Sequence, residues 1–245
     1  MKLDDHCGCF PTGHHYPGIA HRLKVRAVGI VDGVDGNDSW VDQTIAFLDT
    51  ETTGTDSKTD RIIEVGVVIA KGGSIVSRHS WLINPGMPIP AGATEVHGIK
   101  DEDVAEKPSF AEVGEAILDT LRDAIPAAYN ASFDRGFLLN ELERNGVQAS
   151  DPPPAVRRGV VWLDPLVFAR ELYKGKGVSR ALGAVADRLG VALDRAHRAT
   201  DDAEAALMVL YKMAEDSRIP QSYSAFVQEQ RRLERQQEEA RRFWR

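Results

Sequence analysis

Thr44-Ile45-Ala46-Phe47-Leu48-Asp49-Thr50-Glu51-Thr52-Thr53-Gly54 is the stretch on which the reading of this 245-residue chain turns. Its apolar run is too short for a helix and leads straight into two acids and a glycine. Read as a buried strand, it carries Asp49 and Glu51 two residues apart, so both carboxylates emerge on one face. Two anions side by side at the end of a core strand repel each other and are costly to desolvate. A divalent cation relieves that cost, and hard oxygen ligands suit Mg²⁺ or Mn²⁺. An exposed strand end with two solvated acids is the alternative, and the spacing alone does not separate the two.

Downstream, Ile62 to Ala70 reads as a second strand, Lys71-Gly72-Gly73-Ser74 as a hairpin turn and Ile75 to Ile83 as a third strand. Three strands joined by short turns predict an antiparallel meander, which Asn84-Pro85-Gly86 ends. Gly92 to Gly98 and Asp101 to Glu106 read as short helical turns. Ser109 is an N-cap for a helix with Phe110, Val113, Ile117 and Leu121 at helical spacing. Pro126 to Asn130 is a predicted fourth strand, Phe133 to Asn145 a helix closed by Gly146, and Val160 to Leu163 a predicted fifth strand. Helices follow over Pro165 to Tyr173, Ser179 to Leu189 and Asp202 to Ala214. Strands first, then strands alternating with helices, predict an α/β fold with a mixed five-stranded sheet flanked by helices.

The flanks read differently. Residues 1–40 mix Gly, Pro, His and Asp with little periodicity and are expected to be a poorly structured leader. His6, Cys7, Cys9, His14 and His15 invite a zinc reading, but C-x-C is tighter than the usual C-x₂₋₄-C and no second cysteine pair exists. Residues 41–218 form the expected globular domain. Residues 219–245 read as a charged helix with a sparse stripe at Phe226, Leu233, Ala240 and Trp244. Gln230 and Gln237 interrupt that stripe, so a mostly solvated helix is expected; seating on a polymerase or on a second copy is the alternative.

Hydrophobic residues make up 42% and charged residues 27%, an ordinary globular composition. The net charge of −7 argues against a generally basic nucleic-acid binder, though basic groups can still cluster locally. Two cysteines give no disulfide framework, and no apolar run is long enough to span a bilayer. A cytoplasmic protein with no membrane partner is expected.

Two further fragments carry acids. Asn130-Ala131-Ser132-Phe133-Asp134 puts one between a strand and a helix, where helix-start chemistry alone would favour it. His197-Arg198-Ala199-Thr200-Asp201-Asp202-Ala203 puts a histidine five residues before an acid that opens an apolar helix. The pair converges only if His197 lies on the preceding loop, with Thr200 or Asp201 as the cap.

Taken together, Phe47 to Gly54, Asn130 to Asp134 and His197-x-Ala199-x-x-Asp202-Ala203 resemble the DEDD-type 3′→5′ exonucleases. This is the family of the epsilon proofreading subunit of bacterial DNA polymerase III, ribonuclease T and oligoribonuclease. The resemblance covers about Thr44 to Ala214. The tyrosine form of the family would place Tyr where this chain has Arg198, whereas His197 meets the histidine form. Tyr129 departs from the His that many members carry before the Asn. The resemblance implies a ribonuclease H-like fold and two Mg²⁺ (or Mn²⁺) ions held by Asp49, Glu51, Asp134 and Asp202, with His197 as general base. It also implies substrate contacts at Thr52, Thr53, Val96, His97, Asn130 and Phe133. The implied activity is release of nucleoside 5′-monophosphates from single-stranded or frayed DNA 3′ ends, in proofreading or repair. An RNA-trimming enzyme of the same fold and a non-catalytic nucleic-acid-binding descendant are the alternatives. Arg157, Arg158, Lys174, Lys176, Arg180, Arg195 and Arg198 are either a basic rim tracking phosphates or scattered solvated charge.

Overall fold

The strand β1 (Thr44–Thr52) is hydrogen-bonded on both edges and divides the apolar interior into two layers. Alternation sends Ile45 and Phe47 to one face, and Ala46 and Leu48 to the other, where each pair joins a separate core. A computed structural model describes residues 29–175, 177–193 and 197–243. The Cys/His-rich segment and Lys176, Arg195 and Trp244 lie outside these residues.

β2 (Ile62–Lys71) pairs antiparallel with β1, and β3 (Ser74–Leu82) antiparallel with β2. Gly72 and Gly73 make the hairpin turn at φ of 57° and 76°, the left-handed pair that a two-residue turn requires. β4 (Ile125–Ala127) pairs parallel with β1, giving the order β3-β2-β1-β4. Helices α1 (Ala91–His97) and α2 (Asp101–Val104) follow the meander. The Ala46/Leu48 layer is covered by α3 (Phe110–Thr120) and α4 (Ala131–Arg144). The Ile45/Phe47 layer is covered by α5 (Pro165–Leu172), α6 (Leu182–Leu189), α7 (Ala199–Met213) and α8 (Tyr223–Phe243).

The mixed α/β sheet flanked by helices is as expected, but it has four strands among the described residues, not five. The segment expected as the fifth strand makes one parallel bridge, Leu163 to Ala127. Two of its other backbone groups find other partners: Val161 N–H donates to the Gly29 carbonyl, and the Trp162 carbonyl accepts from the Gln230 side chain. Gln230 Nε2 donates to the Trp162 carbonyl at 2.9 Å while its Oε1 accepts from Asp164 N–H at 2.9 Å. One primary amide thus does for this segment what a neighbouring peptide does in a sheet.

That pairing also corrects the expectation of a mostly solvated C-terminal helix over its first half, while residues 234–242 are exposed apart from the half-buried Gln237. Tyr223, Phe226, Val227, Gln230 and Leu233 on α8 are buried. A fully buried Phe, Val or Leu side chain contributes about 1.5–3 kcal/mol. The two glutamines that interrupt the apolar stripe are anchors, since Gln237 Nε2 also donates to the Val167 carbonyl. With Phe226 and Leu233 turned inward, that part of the stripe is spent on the chain's own core. The expected leader is likewise ordered from residue 29 onward. Val31 and Trp40 are buried, Val31 N–H donates to the Tyr223 hydroxyl, and the Trp40 indole stacks on Tyr211. No helix among the described residues is long and apolar enough to cross a membrane.

Candidate active site

Asp49 and Glu51 lie on the β1 face that packs against α7, at the end of the strand where the apolar residues stop. Opposite them, α7 begins at Ala199, so Asp202 stands in its first turn. Neither Thr200 nor Asp201 caps this helix; its first N–H, from Ala199, donates to the Glu64 carboxylate instead. His197 sits just outside the helix at φ 68°, and its N–H donates to Asp202 Oδ2 at 2.9 Å. This left-handed turn brings the i,i+5 pair together. One ligand atom from each of Glu51, His197 and Asp202 lies within 4.8 Å of the others.

Asp134 comes from the other layer. It is buried in the first turn of α4, where its Oδ1 accepts from the Thr50 hydroxyl at 2.9 Å. Thr50 points to the α4 face because it stands between the two outward acids of β1. The turn before α4 is fastened by Asp164, whose carboxylate accepts from the N–H groups of Asn130, Ala131 and Leu166. Asp164 is itself held through its N–H by Gln230. A cleft of about 450 Å³ is lined by Asp49, Glu51, His197 and Asp202 together with Tyr129 and Leu182.

The electrostatics of this cluster are unfavourable without a counter-charge. Burial raises the Asp49 pKa well above the usual carboxylate range, and the charges of Asp134, Asp202, Glu51 and Glu64 raise it further. Burial, then the charges of Asp202, Glu64 and Asp134, push Glu51 up to about 8, with Arg198 opposing. Burial lifts Asp134 to about 7 against the lowering effect of the Thr50 hydroxyl. Asp202 is raised by burial, with the His197 N–H opposing. Carboxylates converging in this way fit hard divalent cations, which supply the missing positive charge.

The residues expected around the substrate divide. Val96 is 56% exposed on α1, an apolar side chain held out to solvent, whereas its neighbour His97 is buried. His97 Nδ1 accepts from Ile99 N–H at 3.0 Å, so its ring holds the turn that presents Val96. Burial lowers the His97 pKa, against the Glu64 charge and the Thr52 carbonyl. Thr52 and Thr53 are buried, with hydroxyls bonded to the Gly54 carbonyl and the Arg61 N–H. Asn130 and Phe133 are half-buried, Phe133 against Phe137. Among the described basic residues, Arg157, Lys174 and Arg198 pair with Asp151, Glu171 and Glu64, and Arg180 donates to the Gly175 carbonyl. Glu64, Asp164 and Gln230 do not stand out in the sequence, although an acid inside the apolar run Ile62–Ala70 is a visible signal.

The family model described as Exonuclease matches residues 46–210, from β1 into α7. The chain belongs to this exonuclease family. This family is metal-dependent. Among its curated relatives, DNA polymerase III PolC-type of Thermotoga maritima is 34% identical over 199 residues, 81% of this chain and 14% of the relative. The PolC-type polymerase of Clostridium perfringens is 33% identical over 177 residues, 72% of this chain and 12% of the relative. The exonuclease thus spans a small part of the length of these relatives. The solved structure of exonuclease X in complex with 5′ overhanging duplex DNA is 25% identical, with a TM-score of 0.54 over 74% of this chain and 98% of that one. Escherichia coli exonuclease I in complex with a dT13 oligonucleotide shares the fold, at 21% identity and a TM-score of 0.61 over 71% of this chain and 41% of that one.

Proposed function

We propose that this exonuclease removes nucleoside 5′-monophosphates from the 3′ ends of single-stranded or frayed DNA, in proofreading or repair, by the histidine form of the DEDD reaction. The observation that carries the reading is the convergence of Glu51, His197 and Asp202 beside Asp49. Asp49, Glu51, Asp134 and Asp202 are assigned as ligands of two Mg²⁺ or Mn²⁺ ions. When bound, such ions supply charge for the scissile phosphate and the leaving oxygen and lower the pKa of an attacking water.

The chain's own residues do the rest. His197 is exposed at the cleft, so its imidazole nitrogen is placed to take the proton from water as the water oxygen bonds to phosphorus. The P–O3′ bond breaks, its electron pair stays on O3′, and the shortened strand departs with a 3′-hydroxyl after O3′ takes a proton from solvent. Asp202 keeps His197 at the cleft through its backbone N–H, and Thr50 keeps the Asp134 carboxylate turned inward. The exposed Val96 is assigned to the face of the terminal base, with Thr52, Thr53, Asn130 and Phe133 shaping the end of the groove.

DNA is supported by what the relatives' names say of them, namely PolC-type DNA polymerases and exonucleases solved with DNA. RNA is the second reading, because a 3′-exonuclease that recognises a histone mRNA stem-loop shares the fold at 18% identity and a TM-score of 0.60. Matched 5′-labelled DNA and RNA single strands with Mn²⁺ or Mg²⁺ test both, with EDTA as the control. A cation-dependent ladder shortening from the 3′ end of DNA is expected. A ladder on RNA alone replaces the substrate, and cleavage of neither strand overturns the reading.

A further inference from the structure

Glu64 stands on β2 directly opposite Glu51 in the antiparallel register and is only 1% exposed. Its carboxylate accepts from Arg198 Nη2 at 2.9 Å and Nε at 3.2 Å, from the Ala199 N–H at 3.3 Å and from the Ser80 hydroxyl at 3.2 Å. Arg198 is the residue between His197 and the first residue of α7. A guanidinium gripped through two nitrogens is fixed in plane and angle, not merely in distance. Two residues further along the same face of β2, Gly66 lets the helix start come close. A Cβ there would lie 2.3 Å from the Ala199 carbonyl carbon and from Thr200 N.

His197 needs such support. Its backbone is left-handed, a conformation that costs a non-glycine residue free energy and persists only where the surroundings fix it. One fastening is its own N–H to Asp202. The other is the Glu64 grip on the next side chain and the next-but-one N–H. A buried ion pair is seldom an efficient way to add stability, because desolvation offsets most of the attraction. What a forked pair adds is a defined direction for the turn that it holds.

We propose that Glu64 and Arg198 are positioning residues that hold His197 over Glu51 and Asp202. The inference rests on the reading of His197 as the group that takes the proton from water. It also makes Arg198 an element of alignment and not a contact for the DNA phosphates.

The test is a mutant cycle in the full chain, with cleavage of 5′-labelled single-stranded DNA at saturating Mn²⁺ and thermal melting of each variant. E64Q and R198A are each expected to lower kcat by about 10- to 100-fold while KM stays within about twofold. H197A is expected to lower kcat by about 10²- to 10⁴-fold. The double variant E64Q/H197A is expected to be no slower than H197A, since a residue acting through His197 has nothing left to align. R198K keeps the charge without the fork and is expected to recover part of the loss. R78A cuts the exposed Arg78–Glu204 pair that ties the same helix to β3 and is expected to leave kcat within about twofold.

Multiplicative losses in the double variant, unchanged kcat in both single variants, or a raised KM at unchanged kcat would each overturn the proposal. If E64Q does not fold, R198A, whose side chain is half exposed, decides the question in its place. An inactive wild-type chain fails the proposed function itself, whereas an active one with multiplicative losses fails only this inference.

Discussion

Asp49 is held where its own charge is unwelcome, and that sets an expectation for stability as well as for cleavage. Its pKa is raised by burial and by four neighbouring acids. D49N is therefore expected to abolish cleavage and yet raise the melting temperature of the cation-free protein near pH 8. A gain of about 1 kcal/mol corresponds to roughly 2–4 °C in a chain of this size. The same physics gives a pH dependence with a definite sign. Glu51 and Asp134, at about 8 and about 7, bind protons in the folded state that the unfolded chain has already released. Cation-free stability is thus expected to fall from about pH 5 to pH 8, and Mn²⁺ is expected to restore it most at the upper end. Melting curves across that range, with EDTA or with Mn²⁺, check both arms; a flat cation-free profile would contradict them.

At the scale of elements, α7 reaches the sheet only because Gly66 has no side chain. G66A is expected to push the first turn of α7 outward, costing about 1–3 kcal/mol of stability and most of the activity. Denaturant unfolding and single-strand cleavage measure the two effects separately. Q230L would leave the Trp162 carbonyl and the Asp164 N–H buried without their partner. A loss of about 1–3 kcal/mol for an unsatisfied buried group is expected, together with weaker cleavage through the Asn130 turn. These elements also show what the sequence can and cannot convey. Asp49, Glu51, Asp134, His197 and Asp202, the residues of the proposed site, stand out in the sequence because each lies next to an element boundary within a short motif. The fifth strand is over-read because an apolar run of strand length does not say whether a neighbouring peptide or a side chain will satisfy it. Glu64 escapes notice because its partner lies 134 residues away. Gln230 looks like a flaw in a stripe, since nothing local marks a glutamine as the partner of a distant backbone.

For the whole molecule, the domain that matters is wider than residues 41–218. The family match ends at residue 210, yet α8 fills the core beside α5 and reaches the turn before Asp134 through Gln230 and Asp164. Removal of residues 223–243 is expected to yield a chain that does not melt cooperatively and does not cleave. A truncated chain that folds and cleaves, losing only a partner, would instead make the helix an attachment device.

The amide of Gln230 also imposes an order in time. It follows Asp164 by 66 residues, so translation makes every acid of the site before it makes the residue that completes their frame. A nascent chain halted before α8 carries all five residues proposed for the cutting chemistry without the brace behind one of them. Such a chain is expected to leave single-stranded DNA intact and to gain cleavage only once α8 closes the core, which stalled nascent chains of the two lengths would check.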